Sequence, residues 1–434
     1  MNIQHNLQAT CKYLNVCPLS DCSIEIKKGL PVNPPLLLIP GGSKDVHGFY
    51  LPVGADGIVT LKPKQEILVA CPGDTNGFNN TKLGTNPALA TCDSGTTFFV
   101  NLDSYQFSDF ACKFCPNHTA KPSGNTCYDG TKRNIEVGFE VQTIGFYKLI
   151  DVCFDDVLYT TLYVHATIVS GIAGNETGLQ RLNFTDDNFF PGMSVDYLYT
   201  KRVQDQTISK ILGLPPSGNK YINATHYLSR GHLSAKADFV YVSQKNATYT
   251  FVNVAPQWQP FNGANWAALE SSVQAYADRN KLDLEVYTGT HGVATLPNAT
   301  GNETDLYLYV DINNNKAIPV PKFYWKAVYE PKSKAGVVFV GINNPHIPVA
   351  NGDYIFCPDV CSDITWVTWD RKNITKGYSY CCKVDDFRST VKTLPVFPVS
   401  GLLTKTENTD DSSAHRLGQY FTLIVLMTGI LKFL

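Results

Sequence analysis

The stretch "THYLSRGHLSAKADFVYVSQKNATYTFVNVAPQWQPFNGANWAALESS", residues 225–272, holds the order of parts that decides the fold. Arg230-Gly231-His232 stands in a polar, small-residue loop and is followed by a β-rich run, an Asn-rich loop and an amphipathic helix. Alternation sets Tyr249, Phe251 and Asn253 on one face and Thr250, Val252 and Val254 on the other, as a half-buried strand requires. Pro256 is expected to end that strand. After Gly263, residues Trp266, Leu269, Val273 and Tyr276 recur at helical spacing, so one stripe packs inward. Asn262 falls just before this helix, where an asparagine side chain caps the free N–H groups. Glu270 lies eight residues further on, about 80° around and roughly 12 Å along the axis. Its side chain leans back toward the helix start, within reach of a water or ligand there. The bland reading of this set is a capped helix and a surface histidine.

The chain has 434 residues, 44% of them hydrophobic, enough for two or three domains with a real core. A formal net charge of -2 excludes a wholesale polycation, so any nucleic-acid binding must rest on a local patch. One such patch runs from Lys201 to Lys245, although a run of this kind is more often a solvated face. The 13 cysteines gather toward the two ends of the chain and are absent from Phe154 to Phe356. Cys112 and Cys115 form a CxxC with no second metal-ligand pair after it, so disulfides are the better account. Nine N-x-[ST] acceptors, at Asn79, Asn117, Asn175, Asn183, Asn223, Asn246, Asn298, Asn302 and Asn373, point with the cysteines to the secretory pathway.

The first residues, "MNIQHNLQATCKYL", lack a basic segment followed by an apolar one, and a signal peptide is expected to lie outside this sequence. At the other end, "YFTLIVLMTGILKFL", residues 420–434, is short for a membrane span. With Ser412, Ser413 and Ala414 before it, it has the parts of a GPI-attachment signal; a docked helix and a short anchor are the alternatives. The expected location is secreted or on the outer cell surface.

Gly/Pro-punctuated short runs over residues 1–130 predict a small cysteine-rich, β-rich domain. Longer periodic elements over 131–400 predict a second, α+β domain, with a polar stalk at 401–419 and the apolar tail at 420–434. Asp93-Ser94-Gly95-Thr96 matches the short core of an aspartic-protease site, but the second copy that would share its proton is missing.

"RGH", then a strand with "VNVAPQ", then the N-x7-E spacing of "NGANWAALE" resembles the DNA/RNA non-specific endonucleases of the ββα-metal class. The longer wording "SRGHLSAKADF", with "PVPKFYWKAVYEP" and "GVVFVGINNPHI" downstream, is similar to secreted arthropod double-stranded ribonucleases, and the resemblance covers roughly Asn134 to His346. It implies a ββα-metal nuclease domain that is Mg2+-dependent, with Mn2+ as the alternative ion. His232 would be the general base and Asn262 the metal-holding residue, supported by Asn253, Glu270 and Arg230. The implied substrate is double-stranded RNA, with DNA second, cleaved without reading sequence; the alternative is a catalytically impaired nucleic-acid-binding or uptake glycoprotein of the same fold. One departure stands out: many family members have Asp before the Arg, and here it is Ser229. The chemistry suits these residue types. Histidine, with an ordinary pKa of about 6.5, activates water without further tuning. A neutral asparagine leaves a hard cation most of its charge and several of its waters.

Overall fold

The computed structural model describes residues 20–178, 182–216 and 220–404. The apolar tail, the small residues at 412–414, and Cys11 and Cys17 lie outside the described residues. Among the described residues, no helix is long and apolar enough to cross a membrane.

The main sheet has nine strands. In spatial order they run Ser379–Cys382, Ala335–Ile342, Pro321–Glu330, Leu284–Val293, Thr160–Ile168, Gly145–Asp155, Lys132–Val141 and Thr119–Cys127, all antiparallel to their neighbours, with Gly401–Leu402 added parallel to Ala335–Ile342. The Pro321–Glu330 strand shows why the sheet is so apolar. Phe323, Trp325 and Ala327 pack on one face with Phe387, Val391 and Leu394 from the C-terminal segment. Tyr324 and Val328 pack on the other face, in the cluster that holds Trp266, Leu269, Val273 and Tyr276. A strand covered on both sides reads as a continuous apolar run rather than an alternating one. Lys326 interrupts that run on the second face, and it is only 1% exposed.

The N-terminal region folds as a five-stranded sheet in the order Leu36–Leu38, Glu66–Ala70, Ala88–Ser94, Thr97–Val100, Asp103–Gln106. Its Cys22–Cys92 and Cys71–Cys112 disulfides staple it. The protease-like Asp93-Ser94-Gly95-Thr96 is the turn of a hairpin here, with Gly95 at a φ of 60°. The boundary expected at residue 130 falls instead within a second hairpin, because Thr119–Cys127 pairs with Lys132–Val141 and already belongs to the main sheet. The change of sheet lies between Gln106 and Thr119. The two regions share a core. The Phe49 ring packs 6.3 Å from Phe139 and 5.8 Å from Tyr147, and the Tyr241 hydroxyl donates to the Tyr50 carbonyl.

Three further disulfides, Cys127–Cys153, Cys357–Cys382 and Cys361–Cys381, join cysteines at most 26 residues apart. The CxxC is not a redox pair: Cys112 is bonded to Cys71, and Cys115 is a free thiol. Of the acceptor asparagines, Asn79, Asn117, Asn183, Asn223 and Asn302 are exposed. Asn246 is buried with its amide donating to Cys115 Sγ at 3.5 Å, which leaves no room for a glycan. The basic run from Lys201 to Lys245 does not form one face either. Lys245 is buried, its Nζ donating to the Asn175 side chain and the Glu176 carbonyl, and burial lowers it to about 8.

Candidate active site

The site begins with a two-stranded ribbon, Leu228–His232 against Val254–Trp258, which sets Arg230 opposite Pro256 and His232 opposite Val254. His232 is therefore at the end of a strand, not in a loop. The expected strand over 249–254 is different too: Phe251–Asn253 is a 3-10 turn, and the strand runs on through Pro256. With only one partner strand, the ribbon tolerates a proline that lacks an N–H. Gly231 is dictated by close packing, since an added Cβ would lie 2.5 Å from Gln257 Oε1 and 2.7 Å from the Tyr324 hydroxyl. Fully buried Asn343 fastens the ribbon to the main sheet. Its Oδ1 accepts from Trp258 N at 2.8 Å, and its Nδ2 donates to the carbonyls of Pro256 and Pro321 at 3.0 and 2.9 Å.

Asn253 plays a similar part. Its Oδ1 accepts from Ser234 N at 2.9 Å, and its Nδ2 donates to Ser234 O at 2.9 Å and Thr248 O at 3.1 Å. Fully buried and engaged in this way, it shapes the chain just after His232 and does not face the cleft.

The helix departs most from expectation. It starts as α-helix at Gln259–Phe261, widens to a π-helical turn at Asn262–Trp266, and continues as α-helix over Ala267–Asn280. Asn262 has helical φ and ψ of -55° and -46°, so it is not the cap. Pro260, whose fixed φ favours a helix's first turn, moves the start upstream. The π turn is a local widening of the kind often found at functional sites. It leaves the Asn262 side chain free to reach sideways, and its Nδ2 donates to Ser229 Oγ at 3.0 Å. Ser229 Oγ in turn donates to the Gln257 carbonyl at 2.8 Å.

These elements enclose a cleft of about 450 Å³ lined by Arg230, His232, Asn262 and Glu270, together with Lys236 and an aromatic wall that includes Phe184 and Tyr249. Four of the five residues expected at the site thus share one cleft, and Asn253 stands behind it. The His232 ring lies 5.2 Å from Phe184 and meets Tyr249 edge-on at 5.4 Å. The Arg230 guanidinium lies 5.2 Å from the Tyr199 ring and 5.6 Å from that of Phe184, and one end donates to the Asp196 carboxylate. Its buried Nε has no hydrogen-bond partner among the described residues.

Burial pushes the Glu270 carboxyl up to about 8, Lys326 pulling against the shift and Asp238 adding to it. Lys326 Nζ donates to Thr288 Oγ1 at 2.7 Å, and Asp238 accepts from Gln274 Nε2 at 2.8 Å. Without a divalent cation, burial therefore favours the neutral form of Glu270. An acid raised from 4.5 to about 8 binds its proton more tightly in the folded state. Its stabilising contribution is present in full below the unfolded value and is lost as pH rises to the folded one. In EDTA, Glu270→Gln should thus gain stability relative to the wild type on going from pH 5 to pH 8. Melting temperatures at the two pH values check this, and an unchanged difference would refute it.

The sequence reading passed over the Phe184 and Tyr199 wall, the Ser229 bridge, and Lys326 with Asp238. Lys326 leaves a signal as a charge inside an otherwise apolar strand, and Ser229 as the departure noted above, though not its bridging contact.

A model of the DNA/RNA non-specific endonuclease family matches residues 130–387. A salivary endonuclease of Lutzomyia longipalpis is 26% identical over 391 residues, covering 89% of this chain and 87% of its own length. Salivary protein Tsal2A of Glossina morsitans morsitans is 24% identical, over 89% of this chain and 95% of its own. Among solved structures, a chain of the EndoG/EndoGI complex aligns at a TM-score of 0.37 and 12% identity, over 60% of this chain and 89% of that one.

Proposed function

Since the chain belongs to the DNA/RNA non-specific endonuclease family and is a phosphodiester hydrolase acting on nucleic acid, we propose that it is a secreted, magnesium-dependent endonuclease of double-stranded RNA, with DNA as a second substrate. The observation that carries this reading is one cleft holding a histidine, a neutral asparagine oxygen donor, an acid and an arginine. The wording shared with double-stranded ribonucleases favours RNA. The charged groups of the cleft suit phosphates, and none forms a set that reads bases. Five disulfides among the described residues and relatives named as salivary proteins favour export.

The family is one of divalent-metal-dependent nucleases. The residues present fit such an ion. Asn262 turns its amide nitrogen to Ser229, which leaves its hard carbonyl oxygen as the available donor on the cleft wall. Asn262 would hold the cation directly and Glu270 one of its waters; when bound, the cation neutralises charge on the phosphate and the leaving oxygen.

The rest of the chemistry falls to the chain's own groups. His232 takes a proton from the water whose oxygen attacks phosphorus, while the bond from phosphorus to the leaving ribose oxygen breaks and that oxygen takes up a proton from solvent water to depart as a hydroxyl. Phe184 and Tyr249 hold the imidazole on two sides, so its ring does not have to be ordered during reaction. Arg230, braced by Asp196, would present its remaining N–H groups to a phosphate oxygen. The alternative of a catalytically impaired uptake protein rested on Ser229, but Ser229 is hydrogen-bonded to Asn262 rather than out of place.

Incubating the purified chain with end-labelled duplex RNA, duplex DNA and single strands should give internal cuts in duplex RNA. Cleavage should stop in EDTA and return with Mg2+. Binding without cutting at any Mg2+ or Mn2+ concentration would favour the uptake protein instead.

A further inference from the structure

We propose that Ser229 is a positioning residue that fixes the orientation of the Asn262 amide and so decides which of its atoms faces the cation. The inference rests on Asn262 being the metal-holding residue. The argument follows from counting protons. The Ser229 hydroxyl has one, and a backbone carbonyl can only accept, so the 2.8 Å bond to the Gln257 carbonyl must use it. What Ser229 Oγ has left are lone pairs. Its 3.0 Å contact with the Asn262 side chain can therefore be satisfied only by the NH2 end of that amide. Turning the amide over would bring two oxygens together with no proton between them, and would aim NH2 groups, which cannot bind a cation, into the cleft.

The neighbouring structure leaves Ser229 little freedom. Its strand pairs Ser229 with Gln257 in register, so the accepting carbonyl is fixed by the sheet ladder. Asn262 is fixed from the other side by the π turn, which Asn265 locks through bonds to the Asp370 and Gly377 carbonyls at 2.9 and 2.8 Å. A serine here supplies the acceptor that an aspartate would, without adding negative charge beside the cation.

The test measures metal binding in the absence of substrate. Full-length protein, stripped with EDTA and dialysed, is titrated with Mn2+ while free Mn2+ is followed by electron paramagnetic resonance; melting curves check folding. Ser229→Ala should weaken Mn2+ binding roughly 3- to 10-fold, the worth of one net hydrogen bond. Ser229→Thr, which keeps the hydroxyl, should restore it, a rescue that a packing role does not predict. Ser229→Asp, which also accepts from the amide, should bind Mn2+ more tightly than wild type. Wild-type affinity in Ser229→Ala, or no rescue by threonine, would overturn the proposal. Asn262→Ala tells the two possible failures apart. If it abolishes Mn2+ binding while Ser229→Ala does not change it, only the positioning role falls; if it also binds normally, the metal assignment falls, and this inference with it.

Discussion

Replacing His232 with alanine is expected to lower cleavage of duplex RNA by roughly 10²- to 10⁴-fold, the usual contribution of a positioned general base. The ring is half-buried between Phe184 and Tyr249, so some packing is lost. The fold should survive, because strand pairing and the Asn343 bonds hold the ribbon through backbone atoms. Duplex binding in EDTA, measured by fluorescence anisotropy, should stay within a few-fold of wild type. Arg230 and Lys236, the groups expected to meet phosphates, are untouched by the substitution. The loss should appear in kcat, with little change in KM. A variant that keeps more than a tenth of wild-type turnover would remove His232 from the role of base.

Asn262→Ala is expected to cost at least roughly 100-fold at low millimolar Mg2+, since losing a metal-holding side chain should exceed the 10- to 100-fold usually lost with an outer-shell partner. Raising Mg2+ should recover part of the rate. Stability should change little, because Asn262 lies inside the helix and caps nothing. Asn262→Asp separates a tuned neutral ligand from a mere oxygen donor. It places a second carboxyl beside Glu270 and sets an oxygen against Ser229 Oγ, whose proton already points to Gln257. The expected result is tighter binding of the cation with slower turnover and an altered Mg2+ to Mn2+ preference. Wild-type rate and metal dependence in both variants would exclude Asn262 from the metal site.

How much of this site was legible depended on the kind of order involved. The Trp266, Leu269, Val273 and Tyr276 stripe was readable because helical period alone determines it, and all four are buried. The ribbon was partly readable. Tyr249 to Val254 alternates as a strand does, but tertiary contacts, among them the Thr161 hydroxyl on the Val252 carbonyl at 2.6 Å, hold the segment as a turn. Asn262 was misplaced as a cap because asparagine favours that position, while Pro260, the better signal for a helix start, stood two residues earlier. The π turn has no sequence signature. Phe184 and Tyr199 were out of reach for another reason: they meet His232 and Arg230 only through the fold, from segments with no periodicity pointing there. The resemblance supplied the roles of His232, Asn253 and Glu270, yet gave no hint that Asn253 would be sealed behind the cleft.

The neutral state of Glu270 bears on how capture relates to cutting. Burial favours the protonated form of its carboxyl when no cation is bound, and the residue before Arg230 is a serine. The cationic side chains lining the cleft are Lys236 and Arg230, the latter paired at one end with Asp196. Such a surface attracts a polyanion whether or not a divalent ion is present. On the proposed reading, grip and cleavage would then rest on different charges. In a fluid poor in divalent cations the protein would retain nucleic acid intact, and the arrival of the ion would turn a held strand into a cut one.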